Sequence, residues 1–412
     1  MPTDLDAAAA RLLAEFLRRT HLSRPDQLAE VAAEVADEAI GASEVVLYLA
    51  NYEQTKLVPF PSARSPERTE LGMDGTVAGH VYTSSSIHVS PTDDPGRRRL
   101  WLPVLDGTDR LGVLELCVDA VDGSVAGDLV LVVERFAHAM AQAALSKRQY
   151  GDVFDLVQRS QAMSIGAELL HSVLPPSVFA TEGLVISTML EPTYANGGDA
   201  FDYAVNGSRV HLAVFDGMGH GLDAAGVSTF AVAAYRNSRR LGLGLVETYA
   251  AMDGAVGRQF GGNRFVTAVL AELELDSGTL RWVSAGHPLP LLIRQGRVVK
   301  TLEVEPSTPL GVPFDTGKPE VGREQLEAGD SLLLYTDGLT EARRPGGDFL
   351  TEAGLAEFVQ RQAAALLPSP ETLRRLRLAI LAHQQGVLDD DATALLVDWR
   401  RGGERLLVPE TV

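Results

Sequence analysis

The stretch that decides the fold reads Val210-His211-Leu212-Ala213-Val214-Phe215-Asp216-Gly217-Met218-Gly219-His220-Gly221. Its first six residues have the apolar, β-branched content of a central strand. The strand then stops on a carboxylate set among glycines. A carboxylate at the end of a buried strand is costly unless it is paired or bound to a cation. The arrangement recurs along the chain. Thr336-Asp337-Gly338 follows Ser331-Leu332-Leu333-Leu334-Tyr335, and Asp389-Asp390-Asp391 precedes Ala392-Thr393-Ala394-Leu395-Leu396-Val397. A further acidic segment, Gly197-Gly198-Asp199 with Asp202 three residues on, lies upstream.

Around these segments the chain is strand-rich from Pro175-Pro176 onward. Strands are expected at 184–190, 209–215, 265–275, 279–284, 289–294, 331–335 and 392–399. Helices at 223–240 and 244–260 fall between the second and third of these. Two more, at 352–366 and 370–385, precede the last. Helices inserted into a mostly antiparallel series predict a β-sandwich with helices outside.

The first half reads as a separate α+β unit. Two helices occupy the first forty residues, the second starting near Pro25 with apolar positions Leu28, Val31, Val35 and Ala39. Strands follow at 44–49, 56–58, 100–105 and 110–118, the last two flanking a hairpin turn at Asp106-Gly107-Thr108-Asp109. From about 125 to 172 the pattern is helical, with a soft spot at Gly151. Its second half can be written as heptads, with Val153, Ser160 and Ala167 in one row and Leu156, Met163 and Leu170 in the other. Such a seam could pair two copies of the chain as a coiled coil; the same spacing also fits a helix packed on its own domain. The expected organisation is therefore a sensory-type domain at 1–146, a helical linker at 147–173, a sandwich at 174–400 and a tail at 401–412.

Composition narrows the function classes. The 412 residues carry 36 Lys and Arg against 55 Asp and Glu, a formal charge of −19. That charge repels phosphate backbones and anionic lipid, so neither nucleic acid nor a membrane surface is an expected partner. The single Cys117 allows no internal disulfide and no cysteine-rich zinc site. The N-terminus lacks the basic start and apolar core of a secretory signal, and the most apolar helix candidate, 129–144, carries Glu134 and Arg135. A cytoplasmic location is the expectation.

No basic cluster adjoins the acidic segments in the sequence, so the compensating charge expected for them is metal. Oxygen ligands favour hard ions such as Mg²⁺ or Mn²⁺, and several carboxylates suit two ions that activate water and clamp a phosphoryl group. Each segment taken alone has a plain structural reading. Asp-Gly after a strand is a common turn, three successive Asp form a solvated run, Gly197-Gly198 suits a bulge, and His220 and His287 suit hydrogen-bonded loop positions.

In order along the chain, Gly197-Gly198-Asp199, Asp216 to Gly221, Arg264-Phe265-Val266-Thr267-Ala268, Ala285-Gly286-His287-Pro288, Pro309-Leu310-Gly311, Tyr335 to Glu341 and Asp390-Asp391-Ala392-Thr393 resemble the SpoIIE/RsbU-type bacterial branch of the metal-dependent serine/threonine phosphatases. These are relatives of eukaryotic protein phosphatase 2C. The resemblance covers about 174–399 and implies an αββα sandwich with two Mn²⁺ or Mg²⁺ ions between the sheets. It implies that Asp216 bridges both ions, that the Gly217 carbonyl binds one, and that Asp199 anchors it. Asp337 and Asp390 hold the other; a one-residue shift within the triple Asp exchanges Asp390 for Asp391. Thr267 and His287 shape the site. The implied reaction is direct attack of metal-activated water on phosphorus, without a phospho-enzyme.

Two departures stand out. Met218 occupies the place of a His found in eukaryotic members. Ala200 stands where many bacterial members have Phe. The first half is similar to GAF-type sensory domains at Ile40-Gly41-Ala42, at Asp74-Gly75-Thr76-Val77-Ala78-Gly79 and at Leu111-Gly112-Val113-Leu114-Glu115-Leu116, without the cyclic-nucleotide signature. The implied substrate is phosphoserine or phosphothreonine on a separate anti-anti-sigma-type regulatory protein. The alternatives are an inactive scaffold that signals by binding and a phosphoesterase acting on small metabolites.

Overall fold

The computed structural model describes residues 4–64, 66–195, 197–314, 317–340, 351–365, 367–384, 388 and 390–409. The chain divides after Gln161 into two units, with the tail from Arg405 grouped with the first.

In the first unit the elements run α1 (Asp4–Leu22), α2 (Leu28–Ile40), β1 (Ser43–Ala50), β2 (Lys56–Pro59), β3 (Leu71–Gly72), α3 (Val77–Ser84), β4 (His88–Pro91), β5 (Arg97–Asp106), β6 (Asp109–Asp119), α4 (Gly127–Arg148) and α5 (Val153–Gln158). The strands form one sheet in the order β3-β2-β1-β6-β5-β4. Its alternation feeds two cores. Leu47, Leu49, Leu114 and Leu116 pack against Phe16, Leu28, Phe136 and Met140, while the intervening Val46, Tyr48 and Val113 meet Val81 and Tyr82 of α3. Covering both faces explains why these strands read as continuous apolar runs. The hairpin forms at the expected place, with Asp106 opposite Asp109 and Gly107 at φ +57°. α4 is long and apolar enough to cross a membrane, yet Val133, Phe136, Ala137 and Met140 are buried in this core.

The expected helical linker over 147–173 is not one run. α4 stops at Arg148, α5 ends at Gln158, and α6 (Ile165–His171) begins afresh behind a Ser164 cap. The two rows of the heptad consequently share no face. Leu156 is 70% exposed, whereas Leu170 is fully buried against Ala200, Ala213 and Phe215 of the second unit. α5 instead inserts Phe154 against Phe60 of the first unit. Small-to-large spacing created the pattern, but local packing and the Ser164 cap decide where each turn lies.

The second unit continues through β7 (Val178–Thr181), β8 (Leu184–Glu191), β9 (Asp199–Asn206), β10 (Arg209–Gly217), α7 (Gly221–Arg240), α8 (Leu245–Phe260), β11 (Val266–Glu274), β12 (Thr279–Ala285), β13 (Leu291–Arg294), β14 (Arg297–Thr301), β15 (Gly322–Gln325), β16 (Ser331–Tyr335), α9 (Thr351–Ala364), α10 (Ser369–His383) and β17 (Ala392–Trp399). Two antiparallel sheets result, β15-β12-β11-β10-β9 and β14-β13-β16-β17-β8-β7. Between them lie Val210, Leu212, Val214, Val269, Leu332, Leu334, Leu395 and Val397. The opposite face of the first sheet packs Ala213, Phe215 and Leu270 under α7 and α8. The second sheet packs Leu333, Ala394 and Leu396 under α9 and α10. These four layers are the expected αββα sandwich. β9, which the sequence reading did not include, supplies an edge of the first sheet.

Leu170→Ala should lower the melting temperature of the second unit markedly, because deleting a buried Leu costs about 2–5 kcal/mol. Leu156→Ala should leave it unchanged. Thermal melts of the two variants check this; equal effects would contradict the assignment of α6 to the second core.

Candidate functional site

Strand alternation brings the acidic segments together. On β10 the residues Val210, Leu212 and Val214 face the second sheet, so Asp216 does too. On β9, Phe201 faces the same layer and Asp199 follows its parity. The two carboxylate residues are direct cross-strand partners, and Thr267 of β11 is the next partner along the row. From the opposing sheet, Leu332 and Leu334 carry Thr336 into this layer, and Leu395 with Thr393 carries Asp391. The site is thus the open end of the inter-sheet core, where apolar pairs give way to acids.

Hydrogen bonds tie the pieces. The Thr336 hydroxyl donates to Asp199 Oδ2 at 2.6 Å and accepts from the Thr393 N–H at 2.9 Å, joining the two sheets through one buried side chain. Asp391 Oδ2 accepts from the backbone N–H groups of Gly197, Gly198 and Asp199 at 2.7, 2.5 and 3.3 Å. The Gly198 carbonyl accepts from Gly217 N–H at 3.1 Å and from the Ser228 hydroxyl. Glycine is demanded here by proximity. A Cβ on Gly198 would lie 2.5 Å from the Gly217 oxygen, and one on Gly338 would lie 1.8 Å from the Asp391 oxygen.

His287 bolts the same layer from behind. Its Nδ1 meets the Thr267 hydroxyl at 2.8 Å and its Nε2 meets the Tyr335 carbonyl at 3.1 Å. A carbonyl can only accept, so Nε2 carries the proton and Thr267 donates to Nδ1. Burial holds the imidazole neutral, with its pKa pushed down to about 4. His287 therefore links β11 to the residue before Thr336, and does not face solvent.

Electrostatics mark the acids as uncompensated. Burial, followed by the charges of Asp337, Asp390 and Asp391, pushes Asp216 up to about 7. Burial and then the charges of Asp216 and Asp391 push Asp199 well above the ordinary carboxylate range. Asp391 is raised by burial, against the three N–H groups that it accepts from. Among the described residues, no three His, Cys, Asp or Glu side chains are gathered closely enough to form a ready-made metal cage. The donors are instead spread around an opening, all of them oxygens. That fits ions such as Mg²⁺, which retain several waters and take only one or two carboxylates each.

Asp199, Asp216, Asp337, Asp390 and the Gly217 carbonyl all belong to this end of the sandwich. Asp202 does not. It has the opposite parity on β9, turns to α7, and is held by Arg236 at 2.6 Å and Arg239 at 2.8 Å. Ala200 shares that helix-facing side and is fully buried there, so it fills the packing under α7. Met218 donates its N–H to the Phe265 carbonyl and is 38% exposed as a residue. Asp389 and Glu341 lie outside the described residues. One basic group, Arg264, stands in the quoted Arg264–Ala268 segment but was given no role from the sequence. Arg264, forty-five positions from Gly219, is brought beside it by the β10–β11 pairing and forms an ion pair with Asp223 at 2.5 Å.

Residues 206–400 match the family model described as Stage II sporulation protein E (SpoIIE). Phosphoserine phosphatase RsbU of Bacillus subtilis (strain 168) is 23% identical over 236 residues, covering 57% of this chain and 69% of RsbU. Phosphoserine phosphatase RsbP of the same organism is 26% identical over 171 residues, covering 39% of this chain and 42% of RsbP. Among solved structures, that of the RsbU and RsbW domains of Rv1364c from Mycobacterium tuberculosis is 34% identical with a TM-score of 0.45, covering 53% of this chain and 62% of that one. The chain thus spans less than two thirds of RsbP and of the solved Rv1364c chain.

Asp390 and Asp391 should separate by experiment. Asp391→Ala strips three N–H groups of their acceptor and should lower the melting temperature in EDTA by several degrees, at about 1–3 kcal/mol for buried donors left unmet. The exposed Asp390 should tolerate Ala without such a loss. Asp216→Asn should do the reverse and stabilise the metal-free protein at pH 8. A carboxyl whose folded pKa lies above its unfolded value near 4 costs the fold stability as pH rises from about 4 to about 7, and Asn removes that cost. Melts in EDTA at pH 8 check all three variants; a destabilised Asp216→Asn would contradict the raised pKa of Asp216.

Proposed function

We propose that this chain, a member of the SpoIIE/RsbU-type branch of the metal-dependent PPM phosphatases through residues 206–400, hydrolyses phosphoserine or phosphothreonine on a regulatory protein. The observation that carries the reading is the cross-strand pair of buried Asp199 and half-buried Asp216 at the mouth of the inter-sheet core, facing further acids from the second sheet. In this reading Asp199, Asp216, the Gly217 carbonyl, Asp337 and Asp390 hold two divalent ions, Mn²⁺ or Mg²⁺. Those ions, when bound, supply an activated water and neutralise the charge that develops on the phosphoryl group.

The remaining residues position that ligand set. The Thr336 hydroxyl fixes which way Asp199 presents its second oxygen. Asp391 holds the Gly197–Asp199 backbone against the loop after β10. His287, kept neutral, fixes Thr267 and the end of β16 without adding charge to a site that must receive cations. Neither Met218 nor the buried His287 can hand a proton to a leaving alkoxide from these positions. In this reading that proton comes from water or from the exposed His220 at the start of α7.

The partner proposed is a phosphorylated protein of the anti-anti-sigma type, encountered in the cytoplasm. The first unit, with its single sheet covered on both faces, is proposed to be a GAF-like regulatory domain. Its control is exerted through the segment 147–173, but not through a continuous coiled coil, since the helices there are separate.

Phosphate release from a phosphoserine protein and from a small aryl phosphate, with Mn²⁺ and with EDTA, tests the reading. Turnover should require the metal and fall at least a hundredfold in Asp216→Ala and Asp337→Ala. Faster hydrolysis of the phosphoprotein should distinguish a protein phosphatase from a metabolite phosphoesterase. Metal-independent turnover, or turnover surviving both substitutions, would contradict it.

A further inference from the structure

Arg264 lies just before β11, on the side of the site where the chain leaves β10 for α7. The ladder sets Gly217 opposite Val266, and the Met218 N–H donates to the Phe265 carbonyl at 3.1 Å. One step further, Gly219 comes up against Arg264: a Cβ at Gly219 would sit 3.4 Å from the guanidinium Nη1. Gly219 itself has φ +96°, a conformation that L side chains rarely adopt. The loop that follows Asp216 and Gly217 is therefore kept free of side-chain bulk where the guanidinium approaches.

The other guanidinium nitrogen, Nη2, is 2.5 Å from Asp223 Oδ2. Asp223 sits in the first turn of α7 and its side chain is 71% exposed; that of Arg264 is 35% exposed. An exposed ion pair of this kind contributes little. A guanidinium on a phosphate makes short, charge-assisted and frequently bidentate bonds, which are roughly twice as strong as neutral ones. A phosphate dianion offers that guanidinium twice the charge of the exposed Asp223 carboxylate and so can compete for it. The first turn of α7 adds a positive dipole end on the same loop.

We infer that Arg264 is a substrate-binding residue that takes the non-transferred oxygens of a phosphomonoester, and that Asp223 parks the guanidinium at the loop until the ester arrives. The inference rests on the phosphatase reading for the identity of the ligand. It gives the acidic opening a positive group for an anionic substrate. It also makes phosphate, the product, a competitive ligand for the same guanidinium.

The test compares wild type with Arg264→Ala, Arg264→Lys and Asp223→Asn in saturating Mg²⁺. It reads KM and kcat for an aryl phosphate, inorganic phosphate binding by calorimetry, and Mg²⁺ affinity. Arg264→Ala should weaken both KM and phosphate binding roughly tenfold or more, as expected for loss of a charge-assisted contact. Arg264→Lys should recover part of the loss, and Mg²⁺ affinity should stay unchanged. Asp223→Asn should leave phosphate binding equal or tighter. If Asp223→Asn reproduces the loss, the pair merely holds the loop and the inference is overturned. Unchanged phosphate binding in Arg264→Ala, or weakened Mg²⁺ binding there, overturns it as well. An inactive wild type would instead sink the phosphatase reading, while calorimetry with phosphate still decides the role of Arg264.

Discussion

Two carboxylates, Asp199 and Asp216, face each other across adjacent strands at the end of a buried sheet. Side chains so paired stand about 5 Å apart, and two full charges at that distance repel by about 3 kcal/mol at an effective dielectric near 20. Hydrogen bonds to a charged group, such as that from the Thr336 hydroxyl, contribute about 1.5–3 kcal/mol each, and burial together with the neighbouring acid charges still leaves Asp199 raised. Burial first, and then the charges of the surrounding acids, raise the pKa of both residues. The sandwich is thus built to be completed by positive charge at this end. The rest of the unit is arranged so that the acids cannot relax away from one another.

That arrangement comes from two sheets locked together at the site. Thr336 reaches from the second sheet to Asp199, and Asp391 reaches from the second sheet to the Gly197–Asp199 backbone. His287 ties the row containing Thr267 to the Tyr335 carbonyl. Each link involves a backbone group or a hydroxyl, which is how a set of ligands is held by groups outside it. Glycines at 198 and 338 permit the backbone approaches on which these links depend.

Much of this was legible in the sequence, and the limits are instructive. β10, β16 and β17 declared themselves by apolar runs, and β16 and β17 were read at their observed limits, because central strands bury both faces. Alternation within those runs also places Asp216, Thr336 and Asp391 on the inter-sheet side. β9 was missed because Gly197-Gly198 and two aspartates within four residues carry the signature of a turn; only pairing with β10 makes them a strand. Parity along β9 then separates Asp199 from Asp202, whose true partners are arginines on α7. The helical periodicity over 147–173 was present, but a repeat of seven cannot say whether its rows face a second copy or two different cores. Arg264 was visible as part of the Arg264–Ala268 segment, but its place beside Gly219 was not: the two are forty-five positions apart, and only the β10–β11 register brings them together.

The central claim is that cations complete the acidic end of the sandwich. Crystals of the protein grown with Mn²⁺, with diffraction recorded at the manganese edge, address it most directly. The account predicts two anomalous peaks, both bordering Asp216, one on the side of Asp199 and Gly217 and the other on the side of Asp337 and Asp390. An ordered site with no anomalous peak at saturating Mn²⁺, or with peaks only elsewhere on the molecule, would contradict it.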